Sequence, residues 1–364
     1  MSVLAVIAVL AMLIVVHELG HFMAARLQGI YVNRFSIGFG PILWKYQGRE
    51  TEYAVRAIPL GGFVGFPDDD PDSNIAEDDP NLLSNRPIMD RAIVISAGVI
   101  ANLIFAYLVL VLQFGTQGIP ESFNYEPGVL IPQVVSSQSP AAKAGIEAGD
   151  LVLAAAGQDL PADATSTKRL METIQSHPNQ ALTLEIQRGT ELLTLTVTPK
   201  VEASDGTARI GVQLIPNGTP QYRSPQGPGE VLKLAGSQFN TMFIGTAKGF
   251  GKLILHFQEM VGQVASPVKI VEQGAGIAQA DAYSLFPFAA IISINLAIIN
   301  ILPLPALDGG QLAFLLLEGL RGKPLPARIQ DGVMQTGLVL LLGLGIFLIV
   351  RDTTQLSWIQ KLFQ

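Results

Sequence analysis

The sequence contains no cysteine. That absence removes disulfides and thiolate metal ligands together, and leaves the redox compartment open. Charge is also scarce. Charged residues make up 15% of the chain and hydrophobic ones 49%, where a soluble globular chain carries about 25% charged residues. Such a deficit points to a membrane. The net charge of −7 argues against nucleic acid as a partner. Histidine is rare, with four in 364 residues. An imidazole metal site must therefore draw on His17, His21, His177 or His256, completed by carboxylates. Internal repeats are absent.

What the chain does have is long apolar runs. Residues 3–25 are apolar apart from His17, Glu18 and His21, and a bilayer needs roughly 20 such residues. The opening "MSVL" lacks the basic residues of a signal-peptide n-region, so the run reads as a span. Residues 92–114, 283–304 and 333–350 supply three more. Four spans put both ends of the chain on one side. Arg26, Arg34, Lys45, Arg49, Arg56, Arg86 and Arg91 lie between the first two spans, and Arg321, Lys323 and Arg328 between the last two. The positive-inside rule makes both segments cytoplasmic and the long central segment external.

Between the spans the pattern changes. "TEYAVRAIPLGGFVGF" is β-branched and aromatic, broken by Pro59, Gly61 and Gly62, and reads as a hairpin or bent edge strand. The acidic, proline-rich stretch after it reads as a solvated loop. Residues 116–216 alternate as short strands with one helix near "TSTKRLMETIQSH", a β-rich domain. Residues 229–262 carry a weaker helical pattern. They suit either a helix on the membrane surface or a linker packed on the β domain. The expected organisation is a mainly α membrane protein. Its parts are a membrane core at 1–115, a β-rich domain at 116–216, a linker or amphipathic segment at 217–282 and a second membrane core at 283–364.

The chemistry concentrates in "HELGH", residues 17–21. On a helix, positions i and i+4 share a face, so His17 and His21 can reach one Zn²⁺. Glu18 lies about 100° round the helix. It can face a water at the metal without ligating it, as a general base does. An uncompensated glutamate at membrane depth is costly, which favours a cation and a wet pocket over a polar cluster between helices. A catalytic zinc needs a third protein ligand. His177 sits in a turn of the β domain and His256 in a glycine-rich segment, and both read as non-ligands. Asp308, in "NILPLPALDGG", follows the third span, where Pro303 and Pro305 break the helix. Alone it would be a loop or cap aspartate; beside HELGH it becomes the candidate third ligand.

These two motifs together, with "RFSIGFGPILW" and "IPLGGFVGF", resemble the site-2 protease family of intramembrane zinc metalloproteases, of the bacterial regulator of sigma-E protease type. The resemblance covers nearly the whole chain. It implies one zinc per chain on His17, His21 and Asp308, with Glu18 as general base. Asn300 would hold substrate backbone or the developing oxyanion. Pro59, Leu60, Gly61, Gly62, Phe63 and Val64 would form a re-entrant hairpin pairing with substrate, which β-addition makes physically sensible. The 116–216 region resembles a bacterial PDZ domain through "SPAAKAGIEAGD". Ile210, Gly211 and Val212 would then be its carboxylate-binding loop; a spacer that filters by size is the other reading. The implied substrate is a single-span membrane protein, such as an anti-sigma factor already trimmed outside by another protease. The implied setting is a bacterial inner membrane, with the PDZ domain periplasmic, the site toward the cytoplasm and the enzyme a monomer. Two positions depart from the family pattern. Val99 stands where proline is frequent, and Gln311 where histidine is. Asn102, three residues past Val99, either faces the site or bonds a neighbouring helix. A membrane-tethered PDZ adaptor with a structural zinc is the competing function, but a structural zinc wants four protein ligands.

Overall fold

The computed structural model describes residues 2–70, 73–135, 138–201, 206–257 and 264–353, with the side chains of 59, 60, 69, 280 and 327 left aside. In chain order come helix α1 (Ser2–Leu27), strands β1 (Arg34–Gln47) and β2 (Glu52–Gly65), and helix α2 (Ile88–Thr116). A β-rich stretch follows: β3 (Ile119–Val134), α3 (Pro140–Lys143), β4 (Leu151–Ala155), β5 (Gln158–Asp159), α4 (Ser166–Gln175), β6 (Leu182–Arg188), β7 (Glu191–Val197), β8 (Lys200–Val201), β9 (Ala208–Arg209) and β10 (Val212–Arg223). Helices α5 (Pro228–Leu255), α6 (Pro267–Ala280), α7 (Leu285–Ile301), α8 (Asp308–Arg321) and α9 (Ala327–Thr353) complete the described chain.

The fold divides into two compact units, one of residues 1–117 and 225–352, the other built from 118–224. In the first, four helices among the described residues are long and apolar enough to cross a membrane: Ser2–Leu27, Ile88–Thr116, Ala282–Ile301 and Arg328–Thr353. Helix α2 is at the centre of the packing. Its Ala106, Leu110 and Phe114 meet Val231 and Ala235 of α5 and Ala290, Ile294 and Ile298 of α7. The described part of residues 229–262, through 257, belongs to this first unit and packs on α2 and α7. Ala235 of α5 is fully buried at this contact, and Tyr107 donates its hydroxyl to the Leu232 carbonyl at 3.2 Å.

Strands β1 and β2 bend in mid-course, so two long strands make a small four-stranded sheet. Residues 34–37 pair in parallel with 52–55 on one side and antiparallel with 62–65 on the other, while 42–47 pair antiparallel with 52–56. The resulting order is 42–47, 52–56, 34–37, 62–65. Gly38 and Gly40 take φ of +87° and +80° at the bend, a region that glycine enters without strain. Residues 62–65 thus form an edge strand.

The second unit has strand order β10-β3-β4-β6-β7, with β5 on β4 and a separate β8-β9 pair. Alternation in β6 buries Leu182, Leu184 and Ile186 on one face, against Leu170 and Ile174 of α4. Strand β10 runs to Arg223, beyond the expected limit at 216. Its far end pairs with the start of β3, Arg223 opposite Ile119, so the chain enters and leaves this unit at adjacent points.

Candidate metal centre

Helix α1 sets His17 and His21 one turn apart, facing α2. The two helices approach very closely here. A Cβ on Gly20 would fall 2.5 Å from the Ala97 carbonyl oxygen, and one on Gly98 would fall 2.3 Å from His21 Nε2 and 2.7 Å from His17 Cε1. Small residues at such a crossing are the usual way for membrane helices to meet. Here they also leave the space that the imidazoles fill. His21 Nδ1 donates to the Val94 carbonyl at 2.8 Å, which fixes the tautomer that leaves the lone pair on Nε2. His17 Nδ1 lies 3.1 Å from Asn102 Nδ2.

Asp308 arrives from the other end of the chain. Helix α7 stops at Ile301 because Pro303 and Pro305 cannot continue it. Ala306 takes a left-handed φ of +68°, and α8 then starts at Asp308. A Cβ on Gly309 would fall 2.1 Å from the Leu302 carbonyl oxygen, and one on Gly310 2.4 Å from that of Leu304. The two glycines therefore let α8 begin in contact with the chain that precedes it.

Three atoms converge. His17 Nε2 and His21 Nε2 are 3.3 Å apart, and Asp308 Oδ2 lies 3.3 Å from the first and 3.4 Å from the second. Zinc at about 2.0–2.1 Å from each ligand of a tetrahedron demands ligand separations of about 3.3–3.4 Å. The triangle has those edges. Its side chains are 11–14% exposed, and Asp308 Oδ2 makes no well-formed hydrogen bond. Lone pairs gathered this way repel unless a cation lies among them, so the residues fit the metal. Among the described residues, the one group of three or more such side chains able to hold a metal ion is His17, His21 and Asp308. His177 instead bonds the Thr173 carbonyl at 2.8 Å in the second unit, and His256 caps the end of α5.

A model described as "Peptidase family M50" matches residues 5–344.

The chain belongs to peptidase family M50.

It is a multi-pass membrane zinc metalloendopeptidase of the site-2 protease kind. A Nostoc sp. (strain PCC 7120) protein that carries a provisional zinc metalloprotease name is 60% identical over all of both chains. The membrane metalloprotease ARASP, chloroplastic, of Arabidopsis thaliana is 46% identical, covering 99% of this chain and 80% of that one. The regulator of sigma-E protease RseP of Salmonella typhimurium is 31% identical, covering 94% and 97%. Among solved structures, the PDZ domain of an SdrC-like protein from Listeria innocua is similar to part of the chain. It is 22% identical and covers 24% of this chain and 92% of that one, with a TM-score of 0.21.

The other residues that the sequence of this M50 peptidase singles out divide between the two units. Asn300, on α7, has its Nδ2 3.3 Å from His17 Nε2. Glu18 accepts a hydrogen bond from the Val64 backbone, and its Cγ is what a Cβ on Gly62 would meet at 2.8 Å. The edge strand 62–65 therefore runs beside the glutamate. Gly61 has φ +144° and lies under the Phe39 ring, and the Arg56 guanidinium stacks 5.5 Å from the Phe63 ring centre. Of Pro59 and Leu60 only the backbone is described, within β2. In the second unit the Ile210 and Gly211 carbonyls accept from Ala141 and Val135, each at 2.9 Å. Gly211 has φ +79°, and Val212 opens edge strand β10.

Sequence reasoning missed two groups. Gly98 announces itself only as one more small residue in an apolar span, and the Val94 carbonyl leaves no trace in side-chain identity. Asn102 stands out as the amide in the middle of the second span, with two roles open to it.

Proposed function

We propose that His17, His21 and Asp308 hold one zinc ion per chain and that Glu18 is the general base for peptide hydrolysis. The observation that carries this is the equilateral triangle of ligand atoms, with edges of 3.3–3.4 Å. Zinc held there would supply Lewis acidity toward water and toward the scissile carbonyl. The remaining work falls to the protein. Glu18 takes the proton of the attacking water and delivers it to the departing amide nitrogen. Asn300, its amide at the rim of the triangle, donates to the carbonyl oxygen as negative charge develops there. His17 is ten residues from the end of α1, about 15 Å along the helix at 1.5 Å per residue. That depth supports hydrolysis below the membrane surface.

The substrate is a transmembrane segment of a single-span protein, of the kind an anti-sigma factor presents after a first cut elsewhere. A peptide bond inside a helix is covered and hydrogen-bonded. Residues Pro59–Val64 offer it an edge to pair with, and strand addition holds it extended beside Glu18. The 118–224 unit acts as a PDZ domain. Ile210, Gly211 and Val212 take the carboxylate of a newly made C-terminus, and the peptide adds beside β10. The enzyme works as a monomer in a bacterial plasma membrane, with this unit on the outer side, the metal toward the cytoplasm and no nucleic acid involved. The adaptor reading is weaker, because three metal-binding groups meet among the described residues, not the four of a structural zinc.

The test pairs two variants in detergent with a tagged transmembrane substrate. Glu18→Gln should keep about one zinc per chain and lose cleavage by roughly 10²–10⁴-fold. Asp308→Ala should lose the zinc. Cleavage by Glu18→Gln at the native rate, or full zinc occupancy in Asp308→Ala, contradicts the assignment.

A further inference from the structure

For His17 to offer a lone pair at Nε2, its hydrogen must sit on Nδ1. That N–H is buried and needs an acceptor. His21 has one, the Val94 carbonyl. The group within reach of His17 Nδ1 is the Asn102 side-chain amide, 3.1 Å away. Asn102 is 0% exposed, and its Oδ1 has no hydrogen-bond partner. A buried, unpartnered carbonyl next to a buried N–H that lacks an acceptor is a pairing waiting for one rotation.

We propose that Asn102 is the positioning residue for His17: its amide oxygen accepts the Nδ1–H and holds the imidazole in the tautomer whose Nε2 points into the ligand triangle. The inference rests on the zinc reading above. The amide's two ends have nearly the same shape, so a half-turn of the side-chain amide exchanges them in place. With Nδ2 toward His17, the matching imidazole carries its hydrogen on Nε2, facing Asp308 Oδ2 at 3.3 Å. With Oδ1 toward His17, the hydrogen is on Nδ1 and Nε2 is free to ligate. Amide orientation and tautomer thus change together. The backbone around them is fixed, because Ser293 on α7 donates to the Asn102 carbonyl at 2.8 Å. Asn300 is on that same helix. One residue of α2 therefore touches both the ligand on α1 and the helix that carries the candidate oxyanion donor.

The experiment measures zinc affinity of the full-length protein in detergent, by competition with a chelator of known affinity. Asn102→Leu keeps the volume and removes the acceptor. Asn102→Asp keeps acceptor oxygens and removes the donor. The expected result is a ten- to hundredfold loss of zinc affinity in Asn102→Leu, the size found when partners of a ligand are removed, and affinity within a few-fold of native in Asn102→Asp. Size-exclusion and thermal melts of the zinc-free proteins show whether each variant is folded. Should Asn102→Leu not fold, Asn102→Ser, whose hydroxyl is too short to reach the ring, replaces it. Equal losses in the acceptor-free variant and Asn102→Asp would mean that the amide acts as a donor that glues helices, and overturn the proposal. So would native affinity in the acceptor-free variant. His17→Ala separates the two levels. If it keeps native zinc affinity, the zinc reading itself fails. If it loses zinc while Asn102→Leu does not, only the role of Asn102 fails.

Discussion

At the scale of single residues the centre depends as much on what is missing as on what is present. Gly98 is the clearest case. Placing a methyl there puts it 2.3 Å from His21 Nε2, so the ring must retreat about 1 Å to reach ordinary contact. Metal sites tolerate distance errors of about 0.2 Å. Gly98→Ala should therefore lose zinc although the fold survives. Gly115→Ala, on the same helix with open space where the added methyl would lie, should bind zinc as the native chain does. Metal analysis of both purified proteins checks this, and full occupancy in Gly98→Ala would mean that α1 and α2 can part. The histidines, Glu18 and Asp308 were legible in the sequence because their residue types are rare in spans and their spacing is fixed by the helix. Gly98 was not, since a glycine that makes room looks like any glycine in an apolar run.

At the scale of elements, legibility followed periodicity. Each long apolar run announced a helix of spanning length, because membrane thickness sets that length and nothing local contradicts it. The β1/β2 sheet was legible only as strand. Its order depends on two strands folding back at glycine bends, and mixed pairing of that kind leaves no alternation to read. Helix α5 was half-read, since its moderate hydropathy fits a surface as well as a groove beside α2. In the second unit, "AGD" hides a specific element-to-element link. Asp150, at the start of β4, is 0% exposed. It accepts from Arg188 at the end of β6 at 2.7 and 2.8 Å and from the Glu147 amide at 2.8 Å. Burial pushes its carboxyl up, but the Arg188 bonds, the Glu147 amide and the arginine charge outweigh burial and hold it below the usual range. The stability this supplies is present above the unfolded value of about 4 and lost as pH falls from there through the lower folded value. Hydrogen exchange of the β4 and β6 amides should then slow from pH 3 to pH 5 after correction for intrinsic rate. In Asp150→Asn that pH dependence should shrink. An unchanged dependence would place the titrating group elsewhere.

At the scale of the molecule, the peptidase is a membrane unit with a β-rich unit inserted between α2 and α5. All the candidate catalytic and metal-binding residues, from His17 to Asp308, belong to the first unit. The insertion is clean because its two ends are neighbours: Ile119 pairs with Arg223, and Gly118 leaves no room for a side chain, since a Cβ there would fall 2.7 Å from the Arg223 carbonyl oxygen. Chain ends that close can be joined by a few flexible residues at little entropic cost. Replacing residues 118–224 with a short Gly/Ser linker should therefore leave zinc binding unchanged. It should alter cleavage selectively. A substrate whose outer portion has been removed should be cut at a rate within a few-fold of native, while preference for a particular new C-terminus disappears. Measuring both substrates with the native and the excised enzyme separates the alternatives. An equal, large loss for every substrate, with zinc retained, would mean that the inserted unit holds the membrane helices in their active arrangement. Selectivity would then have to be sought along the edge strand beside Glu18.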